Sequence, residues 1–228
     1  MRLSVCCLTA GPIPVVASIL SMFRNVAWEI VCAVDVGVPK SDLDHLNGIA
    51  DKVFIVEKSP SVLDSYLGWL HSQCSGDWVL KIDSDEVPSQ KLLDELPNLI
   101  ESLDIQTYLI TRRWSFESSS YWLNERPWYP DWQDRLLRNN PSSLRFYGVA
   151  HTNSQYNFPL KHIDAPIYHL DCLLSDLDSR REKVKHYNTI APGLYASDGR
   201  PLSDTLYLPE ITSSRLPSLV PYEDRHLT

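Results

Sequence analysis

Four short apolar runs, LSVCCLT (3–9), WEIVCAVDV (28–36), DKVFIVE (51–57) and DWVLKID (77–83), constrain this chain more than any other feature. Each has strand length, and Gly, Pro or charged residues punctuate the sequence around them, so each reads as a buried strand. Helical patterns lie between them. Val16, Ile19, Leu20 and Phe23 recur at helical spacing after a turn at Gly11, Pro12 and Pro14. SDLDHLNGIA (41–50) is a short, weak helix, and SVLDSYLGWLHSQC (61–74) places Leu63, Leu67 and Leu70 on one face. Strands alternating with helices predict a parallel, doubly wound α/β sheet. Ligands of such sheets bind in the crevice beyond the carboxyl ends of the strands. Thr9, Asp35, Glu57, Asp83 and Asp85 fall at or just past those ends, so they are expected to converge.

After Pro88 comes an amphipathic helix, QKLLDELPNLIESL (90–103), interrupted by Pro97. TYLITRRWSF (107–116) reads as a strand, and DRLLRN (134–139), LRFYGVAHTN (144–153) and APIYHLD (165–171) as strand pieces. The stretch 114–132 holds Trp114, Trp122, Trp128 and Trp132, with Tyr121 and Tyr129. DLDSRREKVKHYNTI (176–190) is a charged helix. The tail from Pro192 is rich in Pro and Ser and is expected to wrap the surface or stay partly loose. A chain of 228 residues holds one sizeable core. One domain is expected over 1–190, with a half at 1–88 and a second at 107–190, followed by an extension over 191–228.

The net charge of −8 argues against nucleic acid or an anionic membrane as the main partner. No secretory leader is expected from the opening MRLSVCCLTAGPIP, and no run reaches the roughly 18 apolar residues of a membrane span. Cys6, Cys7, Cys32, Cys74 and Cys172 follow no metal or disulfide spacing, which fits a reducing cytoplasm. Contact with the inner face of a membrane through a lipid-linked partner stays compatible with this.

The fourth strand ends in Asp83, Ser84, Asp85 and Glu86. In an extended segment alternate side chains point the same way, so Asp83 and Asp85 can share one hard cation. Oxygen ligands suit Mg2+ or Mn2+, which neutralise a diphosphate and stabilise it as a leaving group. An acidic turn capping the next helix would carry the same residues.

The order of blocks separates these readings. LSVCCLT, VCAVDVG and GDWVLKIDSDEVPS resemble, in sequence, the first strand, second strand and Asp-x-Asp segment of the family-2-type glycosyltransferases with the GT-A fold. IDSDE is similar to the Asp-x-Asp-Glu form of one branch. PDWQDRLLRN, RFYGVAH and YHLDCLLSDLDSRREKVKHY resemble that branch's later blocks, and the likeness covers about residues 1–190. Three segments depart from it. The first loop is LTAGP where the family often has Pro-Thr-Tyr-Asn. Asp35-Val36-Gly37-Val38 stands where Asp-Asp-Gly-Ser is common, and Thr152 follows His151 where Glu is common.

The resemblance implies a GT-A fold, a Rossmann-like and mostly parallel sheet with helices on both faces. It implies an inverting transfer from a nucleotide-diphospho-sugar of the UDP or GDP type to a glycan, lipid-linked or small-molecule hydroxyl, with Mn2+ or Mg2+. By the same likeness Asp85 binds the metal, Asp83 contacts the nucleotide-sugar, and Glu86 lies behind them or faces solvent. Asp35 would accept hydrogen bonds from base or ribose, and Thr9 and Ala10 would line the pocket through their backbone. Asp131 is the expected general base, with Asp134 the second choice, and His169 would complete the metal site. Arg135, Arg138, Arg181 and Lys185 are available to offset diphosphate charge. Trp128 and Trp132 suit a sugar platform, Trp114 suits the core, and His151 would touch donor or acceptor. Two other readings fit parts of the chain. One is a sugar nucleotidyltransferase, although the first loop has only Gly11 and no nearby Lys. The other is a carbohydrate-binding protein without turnover.

Overall fold

The computed structural model describes residues 1–57, 63–140, 146, 159–190, 192–195, 199–212 and 218–222. The segment LRFYGVAHTN, apart from Phe146, lies outside them, and so does His151. The four expected strands form: β1 (Leu3–Thr9), β2 (Glu29–Asp35), β3 (Lys52–Val56) and β4 (Trp78–Asp83). They lie side by side in the order β3-β2-β1-β4, all parallel. Helix α1 (Ile13–Ser21) joins β1 to β2. The weak helix becomes α2 (Lys40–Leu43) and a 3-10 turn at Asp44–Leu46, and the next becomes a 3-10 turn at Leu63–Tyr66 and α3 (Leu67–Ser72).

The chain then adds β5 (Glu86–Pro88), α4 (Gln90–Leu99), β6 (Thr107–Phe116), β7 (Ser118–Leu123), β8 (Asp131–Arg138) and β9 (Leu160–His169). Beyond β4 the sheet turns antiparallel: β8 pairs with β4, β6 with β8, and β7 with β6. β9 runs parallel to β6 and also receives β5. Ser89 caps α4 by accepting from Leu92 N at 3.0 Å. Pro97 falls in the last turn of α4 and precedes its end.

The sheet is covered on both faces. Val5, Cys7, Ile30, Cys32, Leu80 and Ile82 pack with α1 and α4 on one side. Cys6, Val31, Ala33 and Val79 pack with Leu70 of α3 on the other. These two sets alternate along each strand, as a pleated sheet requires.

A third core forms over the antiparallel half. Trp114, Phe116, Leu123 and Trp128 meet Val184 from α6 (Leu177–Ile190) and Tyr207 from α7 (Leu202–Tyr207). Short helices α5 (Asp171–Leu174) and α8 (Pro209–Thr212) flank them, and β10 (Leu219–Pro221) pairs with β7. The described residues of the tail thus pack against the antiparallel half. Arg180 binds Glu210 at 3.0 Å and the Tyr207 carbonyl at 2.8 Å, which ties α6 to the segment that follows it. No helix among the described residues is long and apolar enough to cross a membrane.

Candidate active site

β4 ends at Asp83, and the chain turns at Ser84 and Asp85 before β5 begins at Glu86. The segment is not extended through Asp85, so the alternation argument for a shared ligand pair fails. Asp83 turns to Arg135, which donates through Nη1 at 3.4 Å and through Nη2 to the other oxygen. Asp85 turns to His169, whose Nε2 lies 3.4 Å from Oδ2. The β5–β9 ladder sets this meeting: Glu86 pairs with His169, and Leu170 N donates to the Asp85 carbonyl at 2.8 Å.

Glu86 does not face solvent. It is fully buried, receives Arg135 Nη2 at 2.5 Å on Oε1, and accepts from Asp83 N at 3.1 Å on Oε2. Arg112 Nη1 is 3.6 Å from the same Oε1. Burial pushes the Glu86 carboxyl up; Arg135 opposes this, and the net shift is upward. Burial also pushes Asp83 up, but Arg135 outweighs it and holds that carboxyl below the usual range. Asp85 is held below the usual range in the same way, with His169 then Lys183 overcoming burial.

Arg135 reaches both acids because β8 carries a bulge. Tyr108 pairs with Leu136 and Leu109 with Asp134, so Arg135 is the extra residue. Asp134 then faces Lys81, 3.7 Å from its Nζ, and is fully buried. It does not open into the cleft. Asp131, at the start of β8, is half-buried. Its Oδ2 accepts from Arg112 Nε at 2.7 Å and Trp114 Nε1 at 2.9 Å, and its Oδ1 accepts from Gln133 at 2.6 Å. Burial raises Asp131, and Arg112 with these donors brings it below the usual range.

Trp114 links the two sides of the site. Its ring meets His169 edge-on at 4.1 Å between centroids and lies under the Arg112 guanidinium at 4.9 Å. Tyr207 packs on its other flank at 5.5 Å.

At the parallel end, Thr9 is buried and accepts from Gly11 N at 2.9 Å, while Ala10 is exposed. Gly11 holds φ +101°, which an L side chain rarely adopts. Asp35 accepts from Gly37 N at 2.8 Å through Oδ1, and a Cβ on Gly37 would lie 2.8 Å from that same oxygen. The other oxygen, Oδ2, is buried with no hydrogen-bond partner among the described residues. An outside donor is the ordinary way to satisfy such an atom. Glu57 is exposed.

Several expected residues stand elsewhere. Arg138 pairs with Trp78 at the amino end of β4 and stacks over that indole at 4.5 Å, far from the strand's carboxyl end. Arg181 and Lys185 point to solvent and pair with Asp178 at 2.8 Å and Glu182 at 2.5 Å. Two basic residues of α6 turn inward: Arg180 is buried against Glu210 and the Tyr207 carbonyl, and half-buried Lys183 donates to buried Asp171 at 2.5 Å. Trp128 is no platform: it is 2% exposed, sits in the third core and donates to the Leu206 carbonyl at 2.9 Å. Trp132 is half-buried against His162 at 4.6 Å, on the opposite side of β8 from its neighbour Asp131.

Arg112, Lys183 and Tyr207 were missed. Two arginines inside the apolar run TYLITRRWSF were the available signal for Arg112. Nothing in sequence spacing pointed to Tyr207.

Asp85 and His169 supply one oxygen and one nitrogen ligand, a set that suits a borderline divalent ion. No group of three such side chains occurs among the described residues, so the other ligands would be phosphate oxygens and water. Asp83, Glu86 and Asp131 share Arg112 and Arg135, and Asp171 pairs with Lys183, which leaves Asp85 facing His169. The donors present fit a divalent cation.

No protein-family profile matches this sequence, and no curated protein does. Solved structures do. The chain superposes on residues 1–349 of S. aureus TarS with a TM-score of 0.50 at 14% identity, covering 82% of this chain and 65% of that one. The same TarS fragment in complex with UDP-GlcNAc matches at 0.42 and 16% identity, over 61% of this chain and 46% of that one. Glucosyl-3-phosphoglycerate synthase from M. tuberculosis, in complex with Mn2+, UDP and phosphoglyceric acid, matches at 0.38 and 17% identity, over 52% and 45%. The chain thus spans less than two thirds of each of these proteins. The fold is the GT-A fold.

Proposed function

We propose that this protein is an inverting, metal-dependent glycosyltransferase that uses a nucleotide-diphospho-sugar. The observation that carries the proposal is the Asp85–His169 pair, 3.4 Å apart, at the carboxyl end of a parallel sheet that also presents an unsatisfied Asp35 oxygen. TarS in complex with UDP-GlcNAc and the synthase with UDP and Mn2+ share the fold's general plan, which is consistent with the reading.

Asp35 Oδ2 accepts from the base or ribose, beside the backbone of Thr9 and Ala10. Asp83, fixed by Arg135, contacts the donor's ribose or sugar. Asp85 and His169 hold Mn2+ or Mg2+, which offsets diphosphate charge when bound. Asp131 is the general base. Gln133 uses only part of the accepting capacity of Asp131 Oδ1, so a sugar hydroxyl can still donate to it. The acceptor oxygen forms the new bond to the anomeric carbon as its proton passes to Asp131, and the bond to the diphosphate breaks. The low proton affinity of Asp131 keeps it ionised for this role at neutral pH. Asp134, closed off beside Lys81, takes no part. The five cysteines are all free, as in a cytoplasmic enzyme.

Turnover of UDP- and GDP-sugars with Mn2+ tests the proposal. Release of nucleoside diphosphate should stop on chelation and in Asp85→Ala, and any transferred sugar should have the opposite anomeric configuration. Turnover that survives both would sink the mechanism.

A further inference from the structure

Three strong cations face the carboxylate cluster, and they differ in how far they are committed. Arg135 is 4% exposed and bound to Asp83 and Glu86. Arg112 is 14% exposed and bound to Asp131 and Glu86. Lys183 is 29% exposed and has, among the described residues, one carboxylate partner, Asp171, at 2.5 Å. An ammonium has three N–H donors, so two remain for something else.

The mounting of Lys183 is specific. Asp171 opens α5, two residues after His169, and is itself 3% exposed. Tyr207, from the segment that follows α6, lies beneath the ammonium, with Nζ 4.5 Å from the ring centroid. A flexible four-carbon stem is thus fixed by a carboxylate on one side and an aromatic face on the other. Burial would lower the Lys183 pKa, but Asp171 and then Asp85 outweigh it, so the charge is kept. The ring under Lys183 also packs on Trp114 at 5.5 Å between centroids, and Trp114 meets His169 at 4.1 Å. Tyr207 and Trp114 thus connect Lys183 to the Asp85–His169 pair.

We propose that Lys183 binds the terminal phosphate of the nucleoside diphosphate, with Asp171 and the ring of Tyr207 as positioning groups. The inference rests on the donor reading above and adds a residue to it. As the bond between the anomeric carbon and the β-phosphate oxygen breaks, its electron pair stays on that oxygen. The ammonium stabilises the added charge and gives up no proton. Lys183 would thus add to the charge stabilisation that a cation held by Asp85 and His169 would supply.

Paired affinities isolate this contact. UDP and UMP, and GDP and GMP, are titrated into wild type and Lys183→Met in the presence of Mn2+. Lys183→Met should weaken diphosphate binding by roughly 10- to 100-fold and leave monophosphate binding unchanged. Retained monophosphate binding also reports that the variant is folded. Reductive methylation of wild type, read by peptide mass, gives the same test without a mutation: the diphosphate should protect Lys183 and the monophosphate should not. Equal weakening of both nucleotides, weakening of neither, or equal protection by both would overturn the role of Lys183 while leaving the donor site standing. Wild type that binds no nucleotide would remove both.

Discussion

In the parallel half, β1 to β4, the strand interiors are carried by Val5, Cys7, Ile30, Val34, Leu80 and Ile82, and the polar residues of the site wait at the carboxyl ends in Thr9, Asp35 and Asp83. In the antiparallel half, Asp134 and Arg135 are buried within β8, and Arg112 of β6 lies partly buried over the Trp114 ring. The first half is a scaffold with chemistry at its rim. The second is a charged network that is itself part of the scaffold. Removing volume should hurt the first, and removing charge should hurt the second.

The largest expected effect is in the network. Arg112→Met leaves Glu86 short of one partner and Asp131 without its guanidinium, so it should cost about 3–5 kcal/mol and most of the turnover. The matched change in the parallel half, Leu80→Met, keeps volume and should cost under about 1.5 kcal/mol. Denaturant unfolding of the two variants checks this, and equal costs would break the contrast.

Acid separates the halves next. His71 of α3 is buried, and burial first, then Lys81, pushes its pKa down to about 4. A histidine in an unfolded chain titrates near 6.5, so its neutral form stabilises the fold fully above about 6.5. That contribution is lost as pH falls from about 6.5 towards 4, by about 3 kcal/mol in all. Asp83, Asp85 and Asp131 have lowered values, so their share is present above about 4 and lost only below that. Unfolding free energy between pH 7 and 4 should therefore decline mainly through His71, and His71→Leu should flatten the slope. An unchanged slope would assign the loss to other groups.

The smallest effect compares two buried indoles. Trp78 Nε1 has no hydrogen-bond partner among the described residues, whereas Trp114 Nε1 donates to Asp131. Trp114→Phe strips a charged acceptor of one donor and should cost about 1–3 kcal/mol more than Trp78→Phe, with slower turnover only in the former.

The same contrast explains what the sequence disclosed. The parallel half was legible because apolar runs of strand length alternate with helical spacing, and a parallel sheet turns that pattern into topology. Its strand-end acids were legible for the same reason. The antiparallel half was less so. A one-residue bulge sent Arg135 and Asp134 to different partners, and no spacing rule announces a bulge. Trp128 looked like a platform because aromatic density does not distinguish a sugar face from a core. Arg181 and Lys185 share a helix face with each other, yet Arg180 and Lys183 are the basic residues turned inward, because Glu210, Asp171 and Tyr207 meet them there. Tertiary partners decided each of these.

Calorimetric titration of UDP and GDP into wild type and Asp85→Ala, with and without Mn2+, tests the central claim most directly. Binding of one of the two nucleotides that requires both the metal and Asp85 is the predicted result. Binding of neither, or binding indifferent to Asp85 and Mn2+, would contradict it and leave the acidic strand end a structural ion-pair network.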